Sequence, residues 1–270
     1  MILIKGAGEK ASAVGWYLHQ WGFKKIVMSD RSLPLAERRS VSFCEAIIKG
    51  RLEIDGVEAQ RTGCSLNEVL HCWEKERIPV LADPETKILD SLRPHVLIDA
   101  IMAKRNTGTV ITAAPLVIAL GPSFVAGVDA HQVIETNPDS PCLGHLITNG
   151  PAEPETGIPT SILGYTLERL IISPGDGTLH CLKTIGDKVK KSEMIARVGD
   201  LPVLAGIPGM IWGLIRDGVM VKANQKIGDI DPRGERKFCF EITPQARLIA
   251  QGVLKGILGF SNVKALYSSR

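Results

Sequence analysis

The first thirty residues leave few folds open. Met1 to Lys5 is a short apolar run, and Gly6-Ala7-Gly8-Glu9-Lys10-Ala11 follows it as a G-x-G-x-x-A turn. Apolar residues at helical spacing (Ala13, Val14, Tyr17, Leu18, Trp21) then run to Gly22, a helix stop. Lys24 to Met28 is a second apolar run, ending at Ser29-Asp30. Strand, glycine turn, helix, strand and acid is the order of a dinucleotide-binding unit. The glycines allow a tight turn and close approach of a phosphate, whose charge a helix N-terminus favours. An acid about 20 residues on can hold a ribose hydroxyl. Gly6, Gly8 and Asp30 are therefore candidate cofactor contacts, and Arg31 offers a 2′-phosphate an alternative partner. Many doubly wound proteins keep such a turn and bind no dinucleotide, so the turn alone does not decide the ligand.

The alternation continues. Pro34, Arg38 and Arg39 precede a helix ending near Ile48, and a guanidinium such as that of Arg38 suits phosphate or carboxylate. Leu52 to Arg61 has strand character. Ser65-Leu66-Asn67-Glu68 has the form of a capping box opening a helix to about Arg77. Pro79 to Leu81 reads as a strand, Thr86 to Arg93 as a short helix, and Val96–Asp99 and Pro115–Leu120 as further strands. These segments predict an α/β, Rossmann-like domain with a mostly parallel sheet. Ligands of such sheets lie beyond the carboxyl ends of the strands. Two strand ends carry Lys104, Asn106 and Thr109, then Gly121 and Ser123, followed by Asp129, His131 and Glu135. The spacing D-x-H-x-x-x-E matches no strong ligand motif, so no metal is expected, and acid/base work by His131 stays open.

Beyond Glu135 the composition shifts to Pro, Gly, Asn and Glu through Pro159, as in a linker or active-site loop. Thr160 to Ile172 is apolar and reads as helical. An internal repeat follows: Gly177, Gly186, Val189, Lys190, Ile195 and Val198 recur 32 residues later as Gly209, Gly218, Val221, Lys222, Ile227 and Ile230. Short strands split by glycine turns, twice over, mean an all-β piece. It resembles the biotinyl/lipoyl-type barrel-sandwich domain. That family carries its prosthetic group on a lysine in a hairpin between the halves. Here the joint is Gly199-Asp200-Leu201-Pro202, read as having neither hairpin nor lysine, so no covalent biotin or lipoate is expected. Thr243 to Leu258 is an amphipathic, capped helix expected to pack back on the first domain, and the last dozen residues are expected to fray. The boundaries read as 1–165, 166–237 and 238–270.

Bulk properties remove other classes. The 270 residues carry a net charge of +3 and only 5% aromatics, which argues against a nucleic-acid partner. No apolar stretch reaches the roughly 20 residues of a membrane span, and the N-terminus lacks a signal-peptide pattern. Six cysteines without a CxxC pair suggest reduced thiols and a cytoplasmic protein; Cys142, beside the central stretch, is the one with a functional reading.

Taken together, the GAG turn, PLAERRSVSFCEAI (34–47), AKRNTGT, APLVIALGPSFVAGVDAHQVIET and the lysine-less repeat resemble the selenium-dependent molybdenum hydroxylase maturation proteins, bacterial accessory factors related to those of xanthine dehydrogenase. The resemblance implies a partner, the molybdenum hydroxylase, and a phosphate-bearing cofactor, molybdopterin or its nucleotide form, held by the glycine turn with Arg38, Lys104 and Asn106. Thr109, Ser123, Gly121, Asp129 and His131 would line the second pair of strand ends. Two other readings stand beside it: an NAD(P)-dependent oxidoreductase using His131 or Lys104, and a non-catalytic docking protein. The oligomeric state, including a homo-oligomer, stays open.

Overall fold

A computed structural model of the chain describes residues 1–260. The expectation that the last dozen residues fray falls largely on 261–270, outside the described residues. The chain divides into two units: 1–34, 42–155 and 242 onward form one, and 35–41 with 156–241 form the other.

The first unit opens with β1 (Ile2–Lys5), α1 (Glu9–Gln20) and β2 (Ile26–Asp30). It continues through α2 (Glu45–Lys49), β3 (Arg51–Ile54), β4 (Val57–Thr62), α3 (Leu66–Glu74), β5 (Ile78–Ala82), α4 (Ile88–Leu92), β6 (Val96–Asp99) and β7 (Leu116–Leu120). Short strands β8 (Val125–Ala126), β9 (Gln132–Ile134), β10 (Leu146–Ile147) and β11 (Gly150–Pro151) follow, and α5 (Pro244–Gly259) closes the unit. Nine strands make one sheet in the order β10-β9-β7-β6-β1-β2-β5-β4-β3, while β8 and β11 pair apart from it. From β9 to β4 neighbours run parallel, and the two edges, β10 and β3, are antiparallel. β1, β6 and β7 are buried along their whole length, which is why each reads as an unbroken apolar run rather than an alternation. Leu3, Val27, Leu81, Leu97, Val117 and Val133 form the core over one face.

The second unit is all β: β12 (Leu170–Ile172), β13 (Gly177–Cys181), β14 (Lys188–Val189), β15 (Met194–Val198), β16 (Leu201–Leu204), β17 (Gly209–Leu214), β18 (Met220–Val221) and β19 (Lys226–Asp231). They make two four-stranded antiparallel sheets, β12-β19-β17-β14 and β16-β15-β13-β18. The 32-residue repeat maps onto β13–β15 and β17–β19, and each copy lends its middle strand to the other: β13 pairs β18 and β17 pairs β14. Residues 35–41 lie with this unit. Arg39 Nε donates to the Leu214 carbonyl at 2.8 Å, Lys226 Nζ pairs with Glu37 at 2.7 Å, and the Arg38 guanidinium stacks 4.3 Å from the Trp212 ring centroid.

The expected Rossmann-like domain plus barrel-sandwich domain is corrected by this architecture. The large sheet is mixed, and the β unit consists of two four-stranded sheets. The strand expected over 52–61 is a hairpin, because Asp55 and Gly56 both take positive φ (44° and 79°), the conformation a two-residue turn requires. The helix expected over 160–172 is absent; a 3₁₀ turn at Leu167–Arg169 leads into β12. Gly199-Asp200 does turn a hairpin, between β15 and β16. Trp21, expected on the buried face of α1, is 58% exposed, since it lies one residue past the helix. Ser65 makes no side-chain cap bond; Glu68 Oε2 instead accepts from the Gly63 amide.

Candidate functional site

The chain order places the glycine turn at a special point. From β1 it passes to β2, crosses to the edge hairpin β3–β4, comes back through β5 and then moves to β6 on the other side of β1. The crevice beyond the carboxyl ends of β1 and β6 is therefore where strand order reverses, the place where open α/β sheets bind ligands. Gly6 follows β1 with φ +94°, and a Cβ there would lie 2.9 Å from the Ala100 carbonyl oxygen beyond β6, so only glycine closes this gap. Gly8 caps α1 at an ordinary φ of −71°, offers no side-chain cap, and has open space where a Cβ would stand. Asp30 ties the turn to β2: Oδ2 accepts from the Ala7 amide at 2.9 Å and Oδ1 from the Arg31 amide at 2.7 Å. Burial raises its pKa, and these two amide bonds pull it part of the way back.

Beneath the turn lies a network of which the sequence reading named Thr109 alone as a site residue. Lys5 and Asp99 are register partners at the ends of β1 and β6. Lys5 Nζ reaches Asp99 Oδ2 at 3.2 Å and donates to Thr109 Oγ1 at 2.6 Å, while the Thr109 hydroxyl donates to Asp99 Oδ2 at 2.5 Å. All three residues are buried. The readable signal was a lysine and an aspartate each ending an apolar strand.

The other candidates scatter. Asn106 Oδ1 accepts from the Gly108 and Thr109 amides, and its Nδ2 donates to the Thr109 carbonyl at 2.8 Å and lies 3.5 Å from Asp129 Oδ1. That is a loop-shaping turn. Asp129 Oδ2 accepts from the Val125 amide at 2.8 Å, and Ser123 donates to the Ala103 carbonyl at 2.5 Å. Gly121, φ +87°, lies at the end of β7, where a Cβ would press on Thr136 Oγ1. Lys104 is exposed in the loop after β6. Arg38 belongs to the second unit, where it donates to the Phe238 and Glu241 carbonyls at 2.8 and 2.7 Å. Glu135 is a buried anchor: Oε1 accepts from the Thr136 and Asn137 amides, both at 2.7 Å, and Oε2 from the Glu153 amide at 2.8 Å.

His131 precedes β9 at the opposite, amino ends of the strands and lines a cleft there. Its Nδ1 accepts from the Val117 amide at 3.0 Å, which fixes the proton on Nε2, and burial lowers its pKa. An imidazole held in that tautomer is a hydrogen-bond donor at Nε2 rather than a base. Among the described residues no group of three or more His, Cys, Asp or Glu is placed to hold a metal. No helix of the described residues is long and apolar enough to cross a membrane.

No family model matches the chain. Over 258 residues it is 41% identical to the uncharacterized protein YqeB of Escherichia coli, covering 96% of this chain but 47% of that protein, so the chain spans about half the length of the curated relative it matches. Among solved structures it is similar to an aspartoacylase family protein from Mesorhizobium loti (12% identity, 85% of this chain and 84% of that one, TM-score 0.28). It is also similar to the ectoine utilization protein EutE from Ruegeria pomeroyi (10% identity, 85% and 56%, TM-score 0.24). A succinylglutamate desuccinylase/aspartoacylase from Rhodobacter sphaeroides matches over 32% of this chain and 29% of that one, with 15% identity and a TM-score of 0.23. Scores this low transfer neither the whole fold nor an activity. The expectation of a selenium-dependent molybdenum hydroxylase maturation protein is corrected by the comparisons: the curated relative is uncharacterized, and none of the proteins named here is a molybdenum hydroxylase accessory factor. What is established by sequence is likeness, over nearly the whole chain, to part of a longer uncharacterized protein.

Proposed function

We propose that the first unit binds a small phosphate-bearing nucleotide across the Gly6–Ala7–Gly8 turn. One coincidence carries this reading: the helix start left uncapped and unobstructed at Gly8 is also the start that faces the reversal of strand order between β1 and β6. The first-turn amides of α1 have no intrahelical acceptor, and Ser12 is the first to reach one, at the Gly8 carbonyl. Basic residues follow each strand end around the turn: Lys10 after β1, Arg31 after β2, and Lys104 and Arg105 after β6. Glu9 stands in the same turn, so the main-chain amides and this basic rim, rather than the net charge of the turn, hold the anion. Asp30, already fastened to the turn, has lone pairs left for ribose hydroxyls. A cytoplasmic setting belongs to the same reading and is supported by six cysteines with no disulfide among them.

The test is calorimetric titration of the whole chain with ATP, ADP and NAD. Gly8→Val suits it because the backbone there is ordinary and the space is open, so the variant folds, losing about 1 kcal/mol at most for valine at an N-cap. It should lose at least tenfold in affinity for whichever nucleotide binds. Equal binding by the variant, or no binding of any nucleotide by the parent protein, would sink the proposal.

A further inference from the structure

The same sheet has a second concavity at its other end, independent of the nucleotide reading. A cleft of about 990 Å³ opens where Pro94-His95 enters β6, Ala114-Pro115 enters β7 and His131 enters β9. Its apolar lining includes Leu89, Ile111 and Ala113. Asp90, Arg93 and His131 share the cleft with them, beside His95 and Thr112. Asp90, in α4, and Arg93, just past it, are three residues apart and line the same wall. Neither side chain has an ion-pair or hydrogen-bond partner among the described residues. The third group is the Nε2–H of His131, whose tautomer the Val117 amide sets.

Arg93 is the telling residue. It ends α4 in the left-handed conformation (φ 46°, ψ 62°), its amide bonding to the Leu89 carbonyl at 3.0 Å. That position favours glycine, and a long side chain is held there against its backbone preference. Its guanidinium has no ion-pair or hydrogen-bond partner among the described residues, and it lines the cleft together with the Asp90 carboxylate. Apolar surface with a few convergent polar groups is the ordinary make-up of a small-molecule site.

We propose that this cleft binds a small zwitterion with a short aliphatic part, of the α-amino-acid kind. The ligand's carboxylate meets Arg93 and the His131 Nε2–H, its ammonium meets Asp90, and its hydrocarbon lies on Leu89, Ile111 and Ala113. An anion alone would leave Asp90 opposed, and a cation alone would leave Arg93 opposed.

The experiment titrates the whole chain with L-leucine, its deaminated analogue 4-methylpentanoate and its decarboxylated analogue 3-methylbutylamine, following amide shifts by NMR. Leucine is expected to shift resonances of Arg93, Thr112 and His131, and each analogue to bind at least tenfold more weakly. Arg93→Gly should abolish leucine binding while melting at the same or a higher temperature, because glycine suits the backbone. Gly8→Val should leave leucine binding intact, which separates this site from the nucleotide site. Either analogue binding as well as leucine, no shifts with any of the three, or an Arg93→Gly variant that retains leucine would each overturn the proposal.

Discussion

Gly6 and Gly8 lie two residues apart and answer to different demands. Gly6 is glycine for the fold: Gly6→Ala forces a Cβ toward the Ala100 carbonyl at positive φ and should cost about 1–3 kcal/mol in chemical denaturation. Gly8 is glycine for the space outside it, and Gly8→Val should cost about 1 kcal/mol at most, the preference of an N-cap for glycine over valine. Lys5 and Asp99 are the buried pair below; Lys5→Met leaves an uncompensated carboxylate and should cost about 3–5 kcal/mol, whereas Lys5→Met with Asp99→Leu should cost less than Lys5→Met alone. For His131 the sign follows from burial. Its pKa is lowered, so the folded state disfavours protonation, and the stability this residue contributes is present above about pH 6.5 and is lost as pH falls through its folded value. Imidazole NMR should show the Nε2–H tautomer at neutral pH and protonation only below pH 6.5. At this scale the sequence was legible where backbone geometry decides, as at the GAG turn. It was less legible where a polar side chain closes its own loop: Asn106, Asp129 and Ser123 hold main-chain groups, and turn-forming and ligand-binding use the same residue types.

Among the elements, α5 was the most legible. Thr243 caps it, accepting from the Ala246 amide at 3.2 Å, and Ala246, Ile249, Ala250, Val253, Leu254 and Ile257 are all buried. What periodicity could not show is why two glycines interrupt it. A Cβ on Gly252 would enter the Gly144 carbonyl, and one on Gly256 the Gln132 side chain, so the helix needs bare backbone to approach the loop before β10 and strand β9. Gly252→Ala raises intrinsic helix propensity by about 1 kcal/mol, yet the clash should reverse the sign and lower the melting temperature by several degrees. The β3–β4 hairpin was legible as well, in Asp55-Gly56, but an alternating pattern on both sides of the turn passed for one strand. The 160–172 segment failed for the opposite reason: its apolar residues suit a helix in isolation, and pairing of β12 with β19 overrides that preference.

On the scale of the whole molecule, the second unit carries a buried charge cluster of its own. Asp229 is joined by Arg169 and by Lys226 at 3.3 Å, yet burial outweighs both and raises its pKa to about 6. The folded state thus favours the protonated acid. The stability this group contributes is full below about pH 4 and is lost as pH rises through 6. Subtracting the denaturation profile of Asp229→Asn from that of the parent should isolate a decline of about 1–3 kcal/mol across that window; a flat difference would contradict the assignment. The 32-residue repeat made this unit visible in the sequence, because its glycines recur where the strands must turn. Its membership was not visible, since nothing in residues 35–41 announces partners at Leu214, Phe238 and Cys239. That membership has a consequence in time. Arg38 and the Phe238 carbonyl it serves are 200 residues apart, and Arg39 and Leu214 are 175 apart. At about 5–20 residues per second, a ribosome delivers the partners roughly 10–40 s after the arginines have emerged. During that interval the seven-residue segment is tethered at both ends within sequence that can already begin to fold, and its own partners do not yet exist. The second unit is complete only when Glu241 has been added, although one of its pieces is among the first made.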